Sequence, residues 1–261
     1  IDLIEEEVPK HDDIKVYNLS FGPYGPIEDD CISRFTYALD RLSKDGDKLF
    51  IVAVGNDGEL PDEFGRIQSP SDGVNCLGVG AYTKNYKDEI ERAPYSCYGD
   101  GREGCKVKPD LLDFGGTSNN LFQLISYDGK SINASAGTSF ASPLVAAKAA
   151  EIEGRLECAN PLLARALLVH TAKHPDNKAD RYMGHGIANP DVDDILSCTG
   201  NEVTTIYQAK LMPKNSIRLE LPHITGLNYN GKVRVTWTIA LATDIEPQNT
   251  EDYTITCIED T

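Results

Sequence analysis

The sequence predicts an α/β fold, in which a parallel sheet is flanked by helices, followed by a small all-β, sandwich-like module. Short apolar runs rich in β-branched residues, typical of strands buried on both faces, alternate with amphipathic helical segments. This strand–helix–strand order favours parallel pairing through right-handed crossovers. Beyond about residue 200 the pattern changes to strand-like segments without a convincing helix. We therefore predict two domains, residues 1–199 and residues 200–261.

The N-terminal half contains the clearest strand–helix–strand unit. The first strand, residues 14–19, ends at a Ser-Phe-Gly-Pro turn. A helix follows, with Asp29 or Asp30 as its predicted N-cap and Gly46 as its end. Its apolar positions are Ile32, Phe35, Leu39 and Leu42. Two further strands, predicted to be buried on both faces, are residues 49–54 and residues 76–81.

The C-terminal half is predicted to hold a hairpin, two helices and the β module. An Asp-Gly pair at residues 128–129 lies between two apolar segments, which is a hairpin signal. An Ala-rich helix is predicted over residues 139–153, and a second helix begins at an Asn-Pro pair and covers residues 160–170. The strands predicted for the β module are residues 203–209, 217–221, 233–239 and 253–258.

Composition excludes several classes of protein. The 261 residues include 25 Lys and Arg against 41 Asp and Glu, a formal charge of −16, with 40% hydrophobic residues. The apolar content is that of a globular protein and excludes wholesale disorder. Nucleic acid and anionic membranes are excluded as main partners, because both require clustered Lys and Arg. The longest uninterrupted apolar run, residues 49–54, is far too short to span a membrane.

The seven cysteines and the first residues bear on the compartment. The cysteine count is odd and contains no Cys-x-x-Cys pair, so we expect no zinc site and favour a reducing, cytoplasmic location. Cys97 and Cys105 flank a Gly-rich loop, and their pairing stays open. The chain begins without a signal peptide and without an initiator Met. We therefore expect it to be a processed fragment of a longer protein.

Residues 133–147 carry an arrangement suited to nucleophilic catalysis. A turn of small residues leads into the Ala-rich helix, with Ser139 at the junction. The first N–H groups of a helix are unpaired and its dipole favours negative charge, so such a serine has its own N–H available for an oxyanion. Pro143 is expected in the first turn, where its missing N–H is harmless. Taken alone, the Thr138-Ser139 pair favours the interpretation as a simple helix cap.

The longer sequence string around Ser139 decides between a catalytic serine and a simple helix cap. Residues 137–143 read G-T-S-F-A-S-P and resemble the catalytic-serine motif of the subtilisin-like serine peptidases, with Phe140 where that family usually has Met. The resemblance covers about residues 14–196. It implies a subtilisin-like sheet that lacks its N-terminal part in this chain. It also implies a serine endopeptidase that forms an acyl-enzyme on Ser139.

Two further strings match in the family's order. Residues 51–56 end in Gly-Asn, and the resemblance implies that the Asn56 amide forms part of the oxyanion hole. Residues 16–22 read V-Y-N-L-S-F-G and resemble the strand that pairs with extended substrate in relatives. The implied substrate-binding residues are Ser20, Phe21, Gly22, Ala53, Val54, Gly55 and Thr138, and Gln68 is a candidate for closing the S1 pocket.

The base and the acid that complete a catalytic triad are missing from the sequence. In subtilisin-like enzymes both precede the strand that begins here at Val16. Of the five histidines only His11 lies upstream, and its polar context lacks the H-G-T-x-x-A pattern. The Asp12-Asp13 pair lacks the D-[ST]-G pattern. We therefore predict that this chain is inactive when isolated, since Ser139 needs a base to remove its proton.

Two hypotheses from different classes remain. The first is an active subtilisin-like endopeptidase of which this chain is the C-terminal part. The second is a catalytically inactive relative that binds peptides or proteins through the same groove. The presence of both Ser139 and Asn56 favours the first, because a binding module has no chemical need of either. A D-[ST]-G and an H-G-T upstream of Ile1 would discriminate between them.

The sequence carries only a weak signal for metal binding. Acidic loops at residues 57–63 and 191–194 carry oxygen ligands of the kind that Ca²⁺ uses, but no spaced calcium loop is visible, so we expect no cofactor. The expected partner is a peptide or protein substrate. An incomplete sheet exposes apolar surface, which predicts self-association through that edge.

Overall fold

The computed structural model describes residues 1–157, 160–198, 202–212, 214–220, 234–256 and 258. The strands are β1 (Val16–Leu19), β2 (Leu49–Ala53), β3 (Leu77–Lys84), β4 (Ile90–Arg92), β5 (Gly99–Arg102), β6 (Cys105–Lys108), β7 (Leu111–Phe114), β8 (Phe122–Ile125) and β9 (Ile132–Ser135). The α-helices are α1 (Asp2–Glu7), α2 (Arg34–Ser43), α3 (Thr138–Arg155), α4 (Pro161–His170) and α5 (Val192–Leu196), with a 3-10 turn at Val8–Lys10.

A five-stranded sheet forms the centre of the described chain. β1, β2 and β3 pair in parallel in that order, and β7 adds in parallel to β3, while β4 pairs antiparallel with the end of β3. Leu19 is opposite Val52, so β1 and β2 end at the same edge of the sheet. The α/β prediction with parallel pairing is confirmed. Two-stranded antiparallel sheets, β5–β6 and β8–β9, lie beside it.

The core occupies both faces of this sheet. Leu49 and Ile51 pack into one apolar cluster with α3 and α4, whereas Phe50 and Val52 pack into a second cluster with α2. Side chains alternate between faces along a strand, so both sets are buried only because helices cover both sides. The continuous apolar run of β2 therefore has the explanation that the sequence pattern predicted.

The N-cap of α2 differs from the prediction. Ser33 caps this helix, its hydroxyl accepting a hydrogen bond from the Thr36 N–H at 3.0 Å. Asp29 instead forms an ion pair with Arg66 at 2.6 Å. A cap must directly precede the first helical residue, so Asp29 and Asp30 lie too far upstream. The cap predicted for α4 is confirmed, since Asn160 accepts from the Leu163 N–H at 2.8 Å.

The position of Pro143 is a second correction. α3 begins at Thr138, which places Pro143 inside the helix rather than in its first turn. The carbonyl of Ser139 therefore loses the N–H that residue 143 would otherwise provide. The helix also continues to Arg155, two residues past its predicted end at residue 153. The hairpin prediction is confirmed, with Ile125 opposite Ile132 beside the Asp-Gly turn.

The strands predicted for the β module are not formed as ladders within the described ranges. The backbone bridge found there is an antiparallel pair between Ile245 and Thr254. Apolar side chains such as Val203, Ile217 and Trp237 are exposed. Strands need neighbours to satisfy their N–H and C=O groups, which a local sequence pattern does not supply. The predicted positions 221, 233 and 257 lie outside the described residues, and the boundary near residue 200 stays a prediction.

Cys97 and Cys105, whose pairing the sequence left open, are both free thiols. Burial raises the pKa of the Cys97 thiol to about 11. None of the helices in the described ranges is both long enough and apolar enough to cross a membrane.

The C-terminal segment docks on the parallel-sheet unit through polar contacts. Tyr253 is 0% exposed, and its hydroxyl donates to Asp40 Oδ2 at 2.8 Å. Asn75 exchanges two hydrogen bonds with the backbone of Thr243, at 2.9 and 3.0 Å. Burial raises the pKa of Asp40, and the hydrogen bonds from Asn75, Tyr253 and Val74 oppose that rise.

Tyr253→Phe is expected to lower the free energy of unfolding by about 1.5–3 kcal/mol, because it removes a hydrogen bond to a buried carboxylate and adds no void. Tyr127→Phe is the matched control, since Tyr127 is fully exposed, and its effect is expected within about 0.5 kcal/mol. Chemical denaturation of both variants measures the difference. Equal stabilities for the two variants would show that the segment is not docked in solution.

Candidate active site

The predicted site residues meet at one edge of the parallel sheet. Ser20 directly follows β1, and the Gly55-Asn56 pair follows β2 by one residue. α3 packs on both strands and begins at Thr138 beside them. Carboxyl ends of parallel strands together with a helix N-terminus form the usual location of an α/β binding site.

Asn56 is held in a single orientation by Thr138. Its Oδ1 accepts from the Thr138 N–H at 2.8 Å and from the Thr138 hydroxyl at 3.0 Å. A backbone N–H can only donate, so the atom facing it must be the amide oxygen. The Nδ2 group therefore faces the exposed side of Asn56, where it is available as a donor. Thr138, predicted as a substrate-binding residue, contacts Asn56, and its role toward substrate stays a prediction.

Ser139 is half-buried in the first turn of α3. Its hydroxyl donates to the carbonyl of Ser20 at 3.3 Å, and the Ser20 hydroxyl donates to the carbonyl of Ser139 at 3.2 Å. The N–H of a residue in the first helical turn has no intrahelical acceptor and lies at the positive end of the helix dipole. The first turn of α3 therefore places the Ser139 N–H, and the contacts with Thr138 place Asn56, at the same edge of the sheet.

The predicted substrate walls differ in what they expose. Ser20 is half-buried, whereas Phe21 is 63% exposed and Gly22 is exposed. A Cβ on Gly22 would collide with the carbonyl of Ser69, so the close approach of these two segments requires glycine. On the other wall Val54 is fully buried, and its N–H donates to the Val79 carbonyl at 3.1 Å.

Gln68 lies against the second wall. A Cβ on Gly55 would be 2.5 Å from Gln68 Cδ, and Gly55 has a φ of +107°. Gln68 donates to Asp57 Oδ2 at 2.5 Å, and its backbone N–H donates to the Val54 carbonyl at 3.0 Å. The Gln68 side chain therefore packs on the Gly55 face, the location expected of a residue that closes a pocket there.

Aromatic rings support the nucleophile turn from the other side. Phe140 stacks on Phe122 with ring centroids 5.3 Å apart, and Phe122 stacks on Phe114 at 5.9 Å. The Tyr95 hydroxyl donates to the Gly116 carbonyl at 2.7 Å, and burial raises the pKa of Tyr95 to about 12. A large apolar residue at position 140 therefore connects α3 to the hairpin β8–β9.

Among the described residues, no histidine side chain forms a hydrogen bond with Ser139. His170 Nδ1 lies 3.0 Å from the Thr238 hydroxyl, and His174 Nε2 lies 3.4 Å from Asp180. His11 is exposed, and burial lowers the pKa of His185. His223 lies outside the described residues. In the part of the chain that the structure describes, the Ser139 hydroxyl is thus bonded to a backbone carbonyl.

Carboxylates of the acidic loops have hydrogen-bond partners within the protein. No group of three or more His, Cys, Asp or Glu side chains placed to hold a metal occurs among the described residues. Asp57 accepts from Gln68, Asp62 accepts from Tyr98, and Asp191 caps α5. The expectation of no cofactor, with only a weak signal for Ca²⁺ in these loops, stays a prediction.

Two polar residues at the site had no role in the sequence reasoning. Ser142 is fully buried, and its hydroxyl donates to Asn18 Oδ1 at 2.5 Å. Asn18 Nδ2 donates to the Ser20 hydroxyl at 3.1 Å. Both residues stand within the matched strings, but they are 124 positions apart in the chain.

Known proteins resemble this chain in sequence and in fold. Residues 1–186 match the sequence model of the subtilase family, Peptidase S8. The uncharacterized protein y4bN of Sinorhizobium fredii (strain NBRC 101917 / NGR234) is 26% identical over 199 residues, covering 58% of this chain and 46% of that protein. A psychrophilic protease has a TM-score of 0.54 at 24% identity and covers 72% of this chain. A mutant protease domain of PatA has a TM-score of 0.52 at 19% identity and covers 74% of this chain.

The lengths of these matches limit what they show. The chain spans about half the length of the curated relative and 63% of each of the two solved chains. At these identities the solved structures show the fold alone. The family match covers more than two thirds of the sequence, and it includes Asn56, Ser139 and the strand before Ser20. The chain therefore belongs to the subtilase family of serine peptidases.

Proposed function

We propose that this chain supplies the nucleophile, the oxyanion hole and part of the peptide groove of a subtilisin-type serine endopeptidase. Ser139 Oγ attacks the substrate carbonyl carbon and forms an acyl-enzyme as the peptide C–N bond breaks. Water then hydrolyses that ester. A base must take the Ser139 proton and return it to the leaving amine. We propose that this base and its orienting carboxylate come from residues outside this chain.

The observation that carries the proposal is the pinned orientation of Asn56. Two hydrogen bonds from Thr138 hold the amide oxygen and turn Nδ2 outward, and Ser139 is the residue that directly follows Thr138. Donors that are fixed before the reaction stabilise a developing oxyanion without reorganisation. A simple capped helix has no use for a side-chain amide oriented in this way.

The substrate class follows from the walls of the groove. Phe21 and Gly22 continue outward from the end of β1 and are exposed. A peptide segment in an extended conformation adds to such an edge through main-chain hydrogen bonds. We therefore propose unfolded chain or flexible loops of proteins as substrates, with the Gly55 wall and Gln68 limiting the size of one side-chain pocket.

A fluorophosphonate probe tests this proposal. The isolated 261-residue chain is expected to remain unlabelled, because the Ser139 hydroxyl is bonded to a carbonyl and has no base. The full-length protein is expected to be labelled at Ser139, and Ser139→Ala is expected to abolish that labelling. Mass spectrometry of the labelled peptide identifies the site.

The same experiment separates the proposal from the alternative of an inactive binding module. A full-length protein that is folded yet unlabelled, but that binds extended peptides, would support the binding module. Stoichiometric labelling of the isolated chain would contradict the predicted need for an external base.

A further inference from the structure

The carbonyl of Ser139 lacks its usual donor within α3. In an α-helix the carbonyl of residue 139 accepts a hydrogen bond from the N–H of residue 143. Residue 143 is proline and has no N–H, and it lies inside α3. A half-buried carbonyl without a donor is costly, so another group must replace the missing donor. The Ser20 hydroxyl does so at 3.2 Å.

The direction of the surrounding hydrogen bonds follows from that carbonyl. A carbonyl only accepts, so the Ser20 hydroxyl must donate its proton to Ser139. The Ser20 oxygen is then free to accept, and it receives Asn18 Nδ2 at 3.1 Å. The Asn18 oxygen in turn accepts from the Ser142 hydroxyl at 2.5 Å. The three hydrogen bonds therefore run in one consistent direction, from Ser142 through Asn18 and Ser20 to the Ser139 carbonyl.

The series runs across two elements. Asn18 is in β1 and Ser20 follows it, whereas Ser139 and Ser142 are in α3. β1 leads into the proposed substrate strand, and α3 carries the proposed nucleophile. The hydrogen bonds therefore tie the element that would bind the peptide to the element that would attack it.

We propose that Ser20, held by Asn18 and Ser142, is a positioning residue whose hydroxyl replaces the missing N–H of Pro143 and fixes Ser139 relative to β1. This inference rests on the proposed function, since it concerns the placement of the same nucleophile. Ser20 acts through the backbone of Ser139. The proline is what leaves the Ser139 carbonyl open to a donor from β1 rather than from the helix.

Ser20→Ala in the full-length protein is the first test. The second-order rate of fluorophosphonate labelling of Ser139 is expected to fall by about 10- to 100-fold, because displacement of a reacting group by about 1 Å costs that order of rate. Ser20→Thr keeps a hydroxyl and is expected to retain most of the rate. Ser118→Ala, at an exposed serine, is the matched control and is expected to leave the rate unchanged.

The double variant Ser20→Ala with Pro143→Ala distinguishes positioning from simple carbonyl satisfaction. Residue 143 then has an N–H, which donates to the Ser139 carbonyl from within α3. The melting temperature is expected to return toward that of the native protein, whereas the labelling rate stays low, because the hydrogen bond from the residue-20 side chain to the Ser139 carbonyl is still absent. If Ser20→Ala does not fold, Asn18→Ala removes the donor that holds the Ser20 hydroxyl and gives the same comparison, while the Ser142 hydroxyl keeps the Ile51 carbonyl as an acceptor.

The outcomes separate cleanly. If the native protein is labelled and Ser20→Ala is labelled at the same rate, the inference is overturned. The proposed function then still stands. Recovery of both the melting temperature and the rate in the double variant also overturns it, because the hydroxyl then only satisfies a carbonyl. A native full-length protein that is not labelled overturns the proposed function, and the inference with it.

Discussion

In the full-length protein, Asn56→Asp is expected to lower the rate of acylation of Ser139 by about 10²- to 10³-fold, a magnitude known for removal of the corresponding donor from a subtilisin. Aspartate keeps an oxygen that accepts from the Thr138 N–H and hydroxyl, so the hydrogen bonds that anchor residue 56 are preserved. It replaces the outward N–H donor with a carboxylate oxygen. That oxygen repels the developing oxyanion instead of stabilising it.

Two comparisons make this result specific. Asn56→Ala removes both the donor and the anchor, so it is expected to lower the melting temperature as well as the rate. Asn177→Asp, at an exposed asparagine, adds the same charge change away from the site and is expected to affect neither. Labelling kinetics and thermal unfolding of all three variants are measured together. A native acylation rate in Asn56→Asp would exclude Asn56 from the oxyanion hole.

Asp110→Asn is expected to lower the free energy of unfolding by about 3–5 kcal/mol, because it leaves buried cations without a counter-charge. Asp110 Oδ2 lies 2.6 Å from Lys108 Nζ, and Oδ1 lies 3.4 Å from Arg165 Nη2. The Lys108 side chain is 0% exposed. The Gly78 N–H also donates to Asp110 Oδ2, which ties this charge cluster to β3.

The pH dependence of this effect has a defined sign. Burial opposes ionisation of Asp110, but the attraction of Lys108 and Arg165 outweighs it and holds the pKa of the carboxyl below its usual value. A depressed pKa in the folded state contributes stability above the unfolded pKa of about 3.9, and this contribution is lost as the pH falls through the folded value. The difference between native and Asp110→Asn proteins is therefore expected to shrink below about pH 4.

The matched control for Asp110 is the exposed Asp194. Asp194→Asn is expected to change the free energy of unfolding by less than about 0.5 kcal/mol. Denaturation at pH 7 and at pH 3 gives the two differences for each variant. A small effect of Asp110→Asn at neutral pH would mean that Lys108 and Arg165 do not depend on this carboxylate.

Local patterns accounted for the strands, helices and hairpin of the parallel-sheet unit. The apolar run of β2 and the Asn160-Pro161 start of α4 were both predicted, because each depends on residues that are neighbours in sequence. Where tertiary contacts compete, prediction from local signals was less accurate. Asp29 had a capping side chain, but Arg66 binds it and Ser33 caps α2.

The sequence by itself determined the family, the nucleophile candidate Ser139 and the oxyanion candidate Asn56, because these are carried by short strings of fixed spacing. Only the tertiary structure decided how their partners meet. The Ser20 hydroxyl and the carbonyl of Ser139 are joined across 119 positions of chain, and Tyr253 reaches Asp40 across 213. Such contacts depend on how separate elements pack, and no periodicity or motif within either segment encodes them.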